Sequence, residues 1–182
     1  MNIRPLRLEG TYEIQLKPHR DGRGYFMRAY DEAIFREHGL TTAWVQENQS
    51  SSIRRGVIRG LHFQKPPHAE TKLVRAVVGA VLDVFVDLRK GSSTYGRWDS
   101  VELTARNMNC VYVPKGFAHG YCTLTAKSVV LYKVDSRYTP EAEGGIRWND
   151  PDLAIAWPAG NPLLSPKDLK LPLLRGFATL FD

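Results

Sequence analysis

Apolar and polar residues alternate with a two-residue period through the middle of this chain. In the clearest stretch, Lys72-Leu73-Val74-Arg75-Ala76-Val77-Val78 runs to Gly79 and then resumes, which predicts two strands joined at that glycine. In the second, Leu82, Val84, Val86 and Leu88 share one face, and Val81, Asp83, Phe85, Asp87 and Arg89 share the other. Both faces carry apolar residues, so the strand is covered on both sides, as in a sandwich or a closed barrel. Asp83 is then buried and needs a partner. Residues 98–104, 109–113, 119–124 and 128–135 repeat the pattern between turn material such as Lys90-Gly91-Ser92-Ser93 and Pro114-Lys115-Gly116. Strands at intervals of about ten residues predict an all-β sandwich or barrel.

Helical patterning is confined to the periphery. Asp31 is placed to cap Glu32-Ala33-Ile34-Phe35-Arg36-Glu37-His38, and Gly39 to end it. Ser165-Pro166-Lys167-Asp168 predicts a short terminal helix, with serine as cap and proline at its first position. Between them, the proline- and tryptophan-rich text after residue 139 reads as ordered loop wrapping the barrel.

The segment Gly56-Val57-Ile58-Arg59-Gly60-Leu61-His62-Phe63-Gln64 sets an arginine and a histidine among apolar residues. Strict alternation puts Val57, Arg59, Leu61 and Phe63 on one face and Ile58, His62 and Gln64 on the other, so Arg59 and His62 would not meet. Glycine inside a strand marks bulges, and a bulge at Gly60 would turn both side chains into one pocket.

Composition narrows the partners. At 182 residues with 43% hydrophobic content, the chain fits one domain over 1–182 with a well-buried core. No segment approaches the roughly 18 apolar residues of a membrane span. Two cysteines, Cys110 and Cys122, form no metal or redox motif, and the reading is a cytoplasmic protein without a membrane partner. The formal charge of +6 is scattered, Arg54-Arg55 with Arg59 being the only tight cluster. That distribution favours discrete contacts to a small anion, such as a nucleotide diphosphate, over a nucleic-acid stripe.

Polar residues recur at positions the pattern buries: Arg59, His62, Lys72, Asp83, His119 and Tyr132. Tyr132 shares parity with Val130 and Val134 and could be a core tyrosine; Lys72 begins a strand and could reach water. His119, after Val113-Pro114-Lys115-Gly116-Phe117-Ala118, matches the second half of the cupin pattern. The H-x-H pair of metal-binding cupins is absent, since Phe63 and Gln64 follow His62. A site without metal is therefore preferred over one recruiting His62, His68, Glu70 and His119.

Several strings occur in one order: Asp21-Gly22-Arg23-Gly24-Tyr25-Phe26, Gln46-Glu47-Asn48, Arg59 through Gln64, Lys72-Leu73-Val74-Arg75, Pro114 through Gly120, Leu131-Tyr132-Lys133, Trp148-Asn149-Asp150-Pro151 and Leu164 through Asp168. Together they closely resemble the dTDP-4-dehydrorhamnose 3,5-epimerases over nearly the whole chain. The resemblance implies a cupin-type jelly-roll barrel with a few short peripheral helices, a homodimer with an exchanged N-terminal strand, and a nucleotide-diphosphate 4-keto-6-deoxy sugar as substrate. No cofactor is implied, because the ketone activates its own neighbouring carbons. It also implies His62 as base, Asp168 as its partner, Tyr132 as the acid on the opposite face, and Lys72 stabilising the enolate. Arg59 and His119 would contact the sugar, Arg23, Gln46, Asn48, Glu143 and Lys167 the nucleotide, and Tyr138 would stack on the base.

Chemistry demands such help. A carbon acid beside a ketone is weaker than histidine by on the order of ten pKa units, each worth about 1.4 kcal/mol, so preorganised positive charge must stabilise the enolate. Arg28 departs from the family, which usually carries a glutamate there. Arginine only donates hydrogen bonds, which suits the acceptor-rich edge of cytosine and raises CDP as an alternative nucleotide. The other expectation is that Arg28 turns to a phosphate or to solvent and leaves the thymidine preference intact. Inversion of C3 or C5 alone is a second alternative, and a non-catalytic binding module a third.

Overall fold

The structure, a computed structural model, describes residues 1–181. Thirteen strands and one short helix follow in order: β1 (Asn2–Pro5), β2 (Tyr12–Gln15), β3 (His19–Asp21), β4 (Gly24–Phe26), α1 (Glu32–Glu37), β5 (Gln46–Ser52), β6 (Ile58–Gln64), β7 (Lys72–Val78), β8 (Ala80–Asp87), β9 (Trp98–Thr104), β10 (Asn109–Val113), β11 (Phe117–Thr123), β12 (Ser128–Val134) and β13 (Glu143–Gly145). A six-stranded sheet ordered β1-β2-β10-β7-β12-β5 packs on a five-stranded sheet ordered β13-β6-β11-β8-β9. This is the cupin-type jelly roll. The hairpin β3–β4 stands apart as a third, two-stranded sheet.

Three apolar layers follow from strands covered on both sides. Val74, Ala76, Val111, Val113 and Val130 from one sheet meet Val81, Phe85, Val101, Leu103 and Phe117 from the other in the central core. Outside the five-stranded sheet, Leu61, Phe63, Val84, Val86 and Leu88 are covered by the C-terminal wrap through Ile146, Leu153, Trp157, Phe177 and Phe181. Outside the other sheet, Ile14, Leu73, Cys110 and Tyr112 are covered by α1 and its flanks through Phe35, Leu40 and Trp44. Both cysteines are buried, which pushes the Cys110 thiol up to about 12 and the Cys122 thiol up to about 11, so neither supplies thiolate chemistry.

The predicted helix is present, with Asp31 accepting from the Ala33 and Ile34 N–H groups and Gly39 at φ +67° beyond its end. The terminal helix expected from Ser165 is not. Ser165 Oγ does accept the Asp168 N–H at 3.1 Å, but only a single 3₁₀ turn forms, Asp168–Lys170, before Leu171-Pro172 turns extended. Proline at residue 172 lacks the N–H that a further helical turn would need.

Buried carboxylates tie the fold to pH. Asp87 is fully buried and accepts from the Arg89 backbone and guanidinium and from the Ser92 and Thr94 hydroxyls. Burial pushes Asp87 and Asp99 up, but these donors, and those of Arg7 and Ser100 at Asp99, outweigh it and hold both carboxyls below their ordinary value. A lowered folded value means stability that is present above the unfolded value, about 3.9, and lost as pH falls through the folded one. The melting temperature is therefore expected to fall on acidification below about pH 4. An unchanged melting temperature down to about pH 3 would contradict this.

Candidate active site

The central core does not fill the jelly roll. At one end the two sheets part around a cleft of about 490 Å³, lined by Arg59, His62, Lys72, His119, Tyr121, Tyr132, Lys167 and Asp168 among others. Strand parity explains why. On β8, Asp83 shares the inward face with Val81 and Phe85; on β7, Lys72 shares it with Val74 and Ala76; on β12, Tyr132 shares it with Val130 and Val134.

The bulge expected at Gly60 is present. In the β6–β11 pair His62 lies opposite His119 and Arg59 opposite Tyr121, so Gly60 and Leu61 together face the single residue Gly120. His119 and Tyr121 are two apart and share a face, and their partners are thereby turned to that face as well. Glycine is required at the crossing. Gly60 has φ +129°, and a Cβ there would lie 2.6 Å from Gly120 Cα and 2.8 Å from His119 O. A Cβ on Gly120 would meet Arg59 O at 2.6 Å.

Two histidine–carboxylate pairs line the cleft. His62 Nε2 bonds Asp168 Oδ1 at 2.6 Å, with the imidazole side chain 31% exposed and the carboxylate 4%. Burial pushes Asp168 up, but the hydrogen bond and charge of His62, with bonds from Ser165 and the Gly60 backbone, hold it below its ordinary value. An ionised Asp168 accepts from Nε2–H, which fixes the tautomer and leaves Nδ1 with the free lone pair. Behind it, His119 Nε2 contacts Asp83 at 2.9 and 3.0 Å. Asp83 is wholly buried, which drives its carboxyl up against the pull of His119 and Lys72. The buried carboxylate predicted from parity thus finds its partner on the neighbouring strand, β11, of the same sheet.

The facing sheet supplies Lys72 and Tyr132. Lys72 is buried and its ammonium lies 2.8 Å from Glu70 Oε1. Burial, then the neighbouring Tyr121 and Glu70, raise the Tyr132 phenol above its ordinary value against the pull of Arg59, so it is held protonated as a donor. Sequence reading missed Tyr121 and Ser50, whose hydroxyls bond each other at the cleft wall. Tyr121 stands two residues after His119, a spacing that places it on the cleft face and was legible.

A second cavity of about 270 Å³ adjoins the first, sharing His62, Lys72 and Tyr132 and adding Gln46, Asn48, Tyr138 and Glu143. Gln46 Oε1 accepts the Tyr138 N–H at 2.7 Å, and Lys167 pairs with Glu143 at the rim. The residues expected to hold a nucleotide are therefore gathered beside the cleft, with two exceptions. Arg23 sits on the β3–β4 turn paired with Asp21 at 2.6 Å, and Arg28 pairs with Asp31 at 3.4 Å. Neither lines either cavity.

The residues proposed for metal binding are divided among separate partners. His62 holds Asp168, His119 holds Asp83, Glu70 holds Lys72, and His68 Nδ1 lies 3.2 Å from Thr139 Oγ1. Among the described residues no three potential ligands converge.

A histidine–carboxylate pair facing a tyrosine across an ammonium group, all inside a cupin-type jelly roll, is apparatus for acid–base isomerisation. Comparison with known proteins narrows the class. The family model for dTDP-4-dehydrorhamnose 3,5-epimerase matches residues 5–176. A protein of that name from Methanothermobacter thermautotrophicus is 45% identical over 92% of this chain and 91% of its own. A dTDP-4-dehydrorhamnose 3-epimerase from Streptomyces niveus is 42% identical over 96% of this chain and 84% of its own. A solved 3,5-epimerase from Legionella pneumophila, in complex with dTDP-4-keto-L-rhamnose, superposes with TM-score 0.92 at 40% identity, covering 97% of this chain and 94% of that one. The chain belongs to the dTDP-4-dehydrorhamnose 3,5-epimerase family, and it is a nucleotide-sugar epimerase.

Proposed function

We propose that the chain inverts the carbons flanking the ketone of dTDP-4-keto-6-deoxyglucose, with His62 as base and Tyr132 as the opposing acid. One observation carries this reading: His62 lies on β6 of the five-stranded sheet and Tyr132 on β12 of the six-stranded sheet, and both line one cleft. Inversion requires a proton to leave one face of the carbon and another to arrive on the opposite face. Groups on opposite walls meet that need without turning the sugar.

Asp168 keeps Nδ1 of His62 free to accept the proton and stabilises the imidazolium that forms. Negative charge then develops on the ketone oxygen, where Lys72 and Arg59 supply cations at the cleft wall. His119 contacts the sugar, its imidazole fixed by Asp83. The nucleotide occupies the adjoining cavity, with Tyr138 available for stacking and Gln46 and Asn48 for base contacts. Lys167 and Glu143 close its rim. Arg23 reaches a nucleotide only from a second copy of the chain. The exposed β3–β4 hairpin, whose Tyr25 and Phe26 are 52% and 69% exposed, supports a homodimer in which this hairpin meets the second copy, while the N-terminal strand β1, the segment expected to be exchanged, pairs with β2 of its own chain. Arg28, turned to Asp31 and solvent, leaves a thymidine preference intact, and the names of the relatives favour dTDP over CDP.

Tyr132→Phe separates the two half-reactions. Without the phenol, His62 still removes a proton and returns a solvent one to the same face. In deuterated water the variant is expected to label the substrate while net inversion falls on the order of 100-fold. Wild-type inversion by Tyr132→Phe, followed by NMR, would remove Tyr132 from the role of acid.

A further inference from the structure

Two hydroxyls in the cleft take no part in the steps above. Tyr121 lies on β11 of the five-stranded sheet, opposite Arg59 of β6 on one side and Asp83 of β8 on the other. Ser50 lies on β5, the edge strand of the six-stranded sheet, opposite Val130 of β12. Their hydroxyls bond each other and so span the gap between the two sheets. Both residues line the first cleft and neither lines the second cavity, so the pair belongs to the sugar's side of the site. A hydroxyl carries one donor and two acceptor positions. The mutual bond uses one of the pair's two O–H groups, and among the described residues the other has no recipient. Burial raises the Tyr121 phenol above its ordinary value against the pull of Ser50 and Arg59, so its proton stays in place. The pair therefore presents one free O–H donor to the cleft beside the Arg59 guanidinium.

We infer that Tyr121, held by Ser50, is a specificity-determining residue that donates to the C3 hydroxyl of the sugar and favours ionisation at C3 over C5. Of the two carbons flanking the ketone, C3 bears a hydroxyl, where C5 bears a methyl group and the ring oxygen, a poorer acceptor. Loss of the C3 proton makes that carbon planar and conjugated with the ketone oxygen, and the hydroxyl oxygen then sits on an electron-rich carbon. A donor to that oxygen withdraws density as the charge develops. Loss of the C5 proton leaves the C3 hydroxyl outside the conjugated system, so the same bond is equally strong before and during that step and gives it no advantage. Neither proton transfer requires Tyr121, since His62 and Tyr132 perform both. The hydroxyl sets their relative rates. The inference rests on the proposed epimerisation, and its test separates the two.

The experiment compares initial rates of deuterium uptake at C3 and C5 of dTDP-4-keto-6-deoxyglucose by NMR, for the wild type, Tyr121→Phe and Ser50→Ala. Tyr121→Phe keeps the ring and removes the hydroxyl. It is expected to lower the C3 rate relative to the C5 rate by about fivefold, the size of one neutral hydrogen bond, with inversion still proceeding. Ser50→Ala frees the phenol from the group that orients it and should shift the ratio in the same direction by about twofold. Both rates come from one sample, so a partly unfolded variant leaves the ratio untouched; should Tyr121→Phe fail to fold altogether, Ser50→Ala decides. In the deciding variant an unchanged or reversed ratio, including an equal loss at both carbons, overturns the inference and leaves the epimerase reading standing. Wild-type uptake at only one of the two carbons overturns it as well. No uptake by the wild type at either carbon defeats the functional reading together with the inference.

Discussion

His62→Asn is expected to abolish solvent deuterium uptake into the substrate and to lower kcat on the order of 1000-fold, the upper range for removal of a positioned general base. Asparagine retains a side-chain amide but offers no group that accepts a proton near neutral pH. The size of the effect follows from the energy gap. A carbon acid weaker than imidazole by on the order of ten units leaves about 14 kcal/mol to be covered, and the cations at Lys72 and Arg59 lower that gap only when a base is in reach. His62→Ala should add a loss of stability, because Asp168, 4% exposed, would keep its charge without its imidazole donor. A penalty of about 2 kcal/mol is expected for a charged hydrogen bond lost at a half-buried site. Undiminished uptake by a folded His62→Asn protein would rule the residue out as base.

Gly60→Ala carries the second large effect, on both stability and the site. A methyl group at Gly60 would sit 2.6 Å from Gly120 Cα and 2.8 Å from His119 O, and both are backbone atoms that no side-chain rotation moves aside. The backbone at φ +129° is also one that an L side chain rarely adopts. Overpacking and backbone strain together predict a cost of about 3 kcal/mol or more. For a chain of this length that lowers the melting temperature by about 6–12 °C. Activity should fall further than stability, because the bulge at Gly60 is what turns Arg59 and His62 to one face. A Gly60→Ala protein with wild-type melting temperature and turnover would show that β6 needs neither the glycine nor the bulge.

How much of this was legible in the chain depended on whether burial left a mark on residue type. β9 and β10 coincide with the segments read from alternation, 98–104 and 109–113, and the turn between β7 and β8 falls at Gly79. Each has an apolar face against the central core. β5, with sequence QENQSSS, gave no such signal. It is the edge strand of its sheet and its inward side chains Gln46, Asn48 and Ser50 line cavities rather than core. The strand was hidden because it serves the site.

The candidate site divides in the same way. Asp83, Lys72 and Tyr132 were conspicuous because a polar residue at a core parity is unusual, and the bulge was foreseeable from the conflict between Arg59 and His62 across Gly60. The His62–Asp168 contact joins residues 106 apart through a single 3₁₀ turn, and nothing in local pattern could couple them; only the family resemblance did. Glu70 looked like a metal ligand on residue type alone, and it is the ammonium of Lys72 that engages it.

The most direct test is NMR of the wild-type protein with dTDP-4-keto-6-deoxyglucose in deuterated water, with the CDP sugar in parallel. The account predicts deuterium at both C3 and C5 of the dTDP sugar, inverted product, and little response to the CDP sugar. Absence of exchange at both carbons of the dTDP sugar would contradict it.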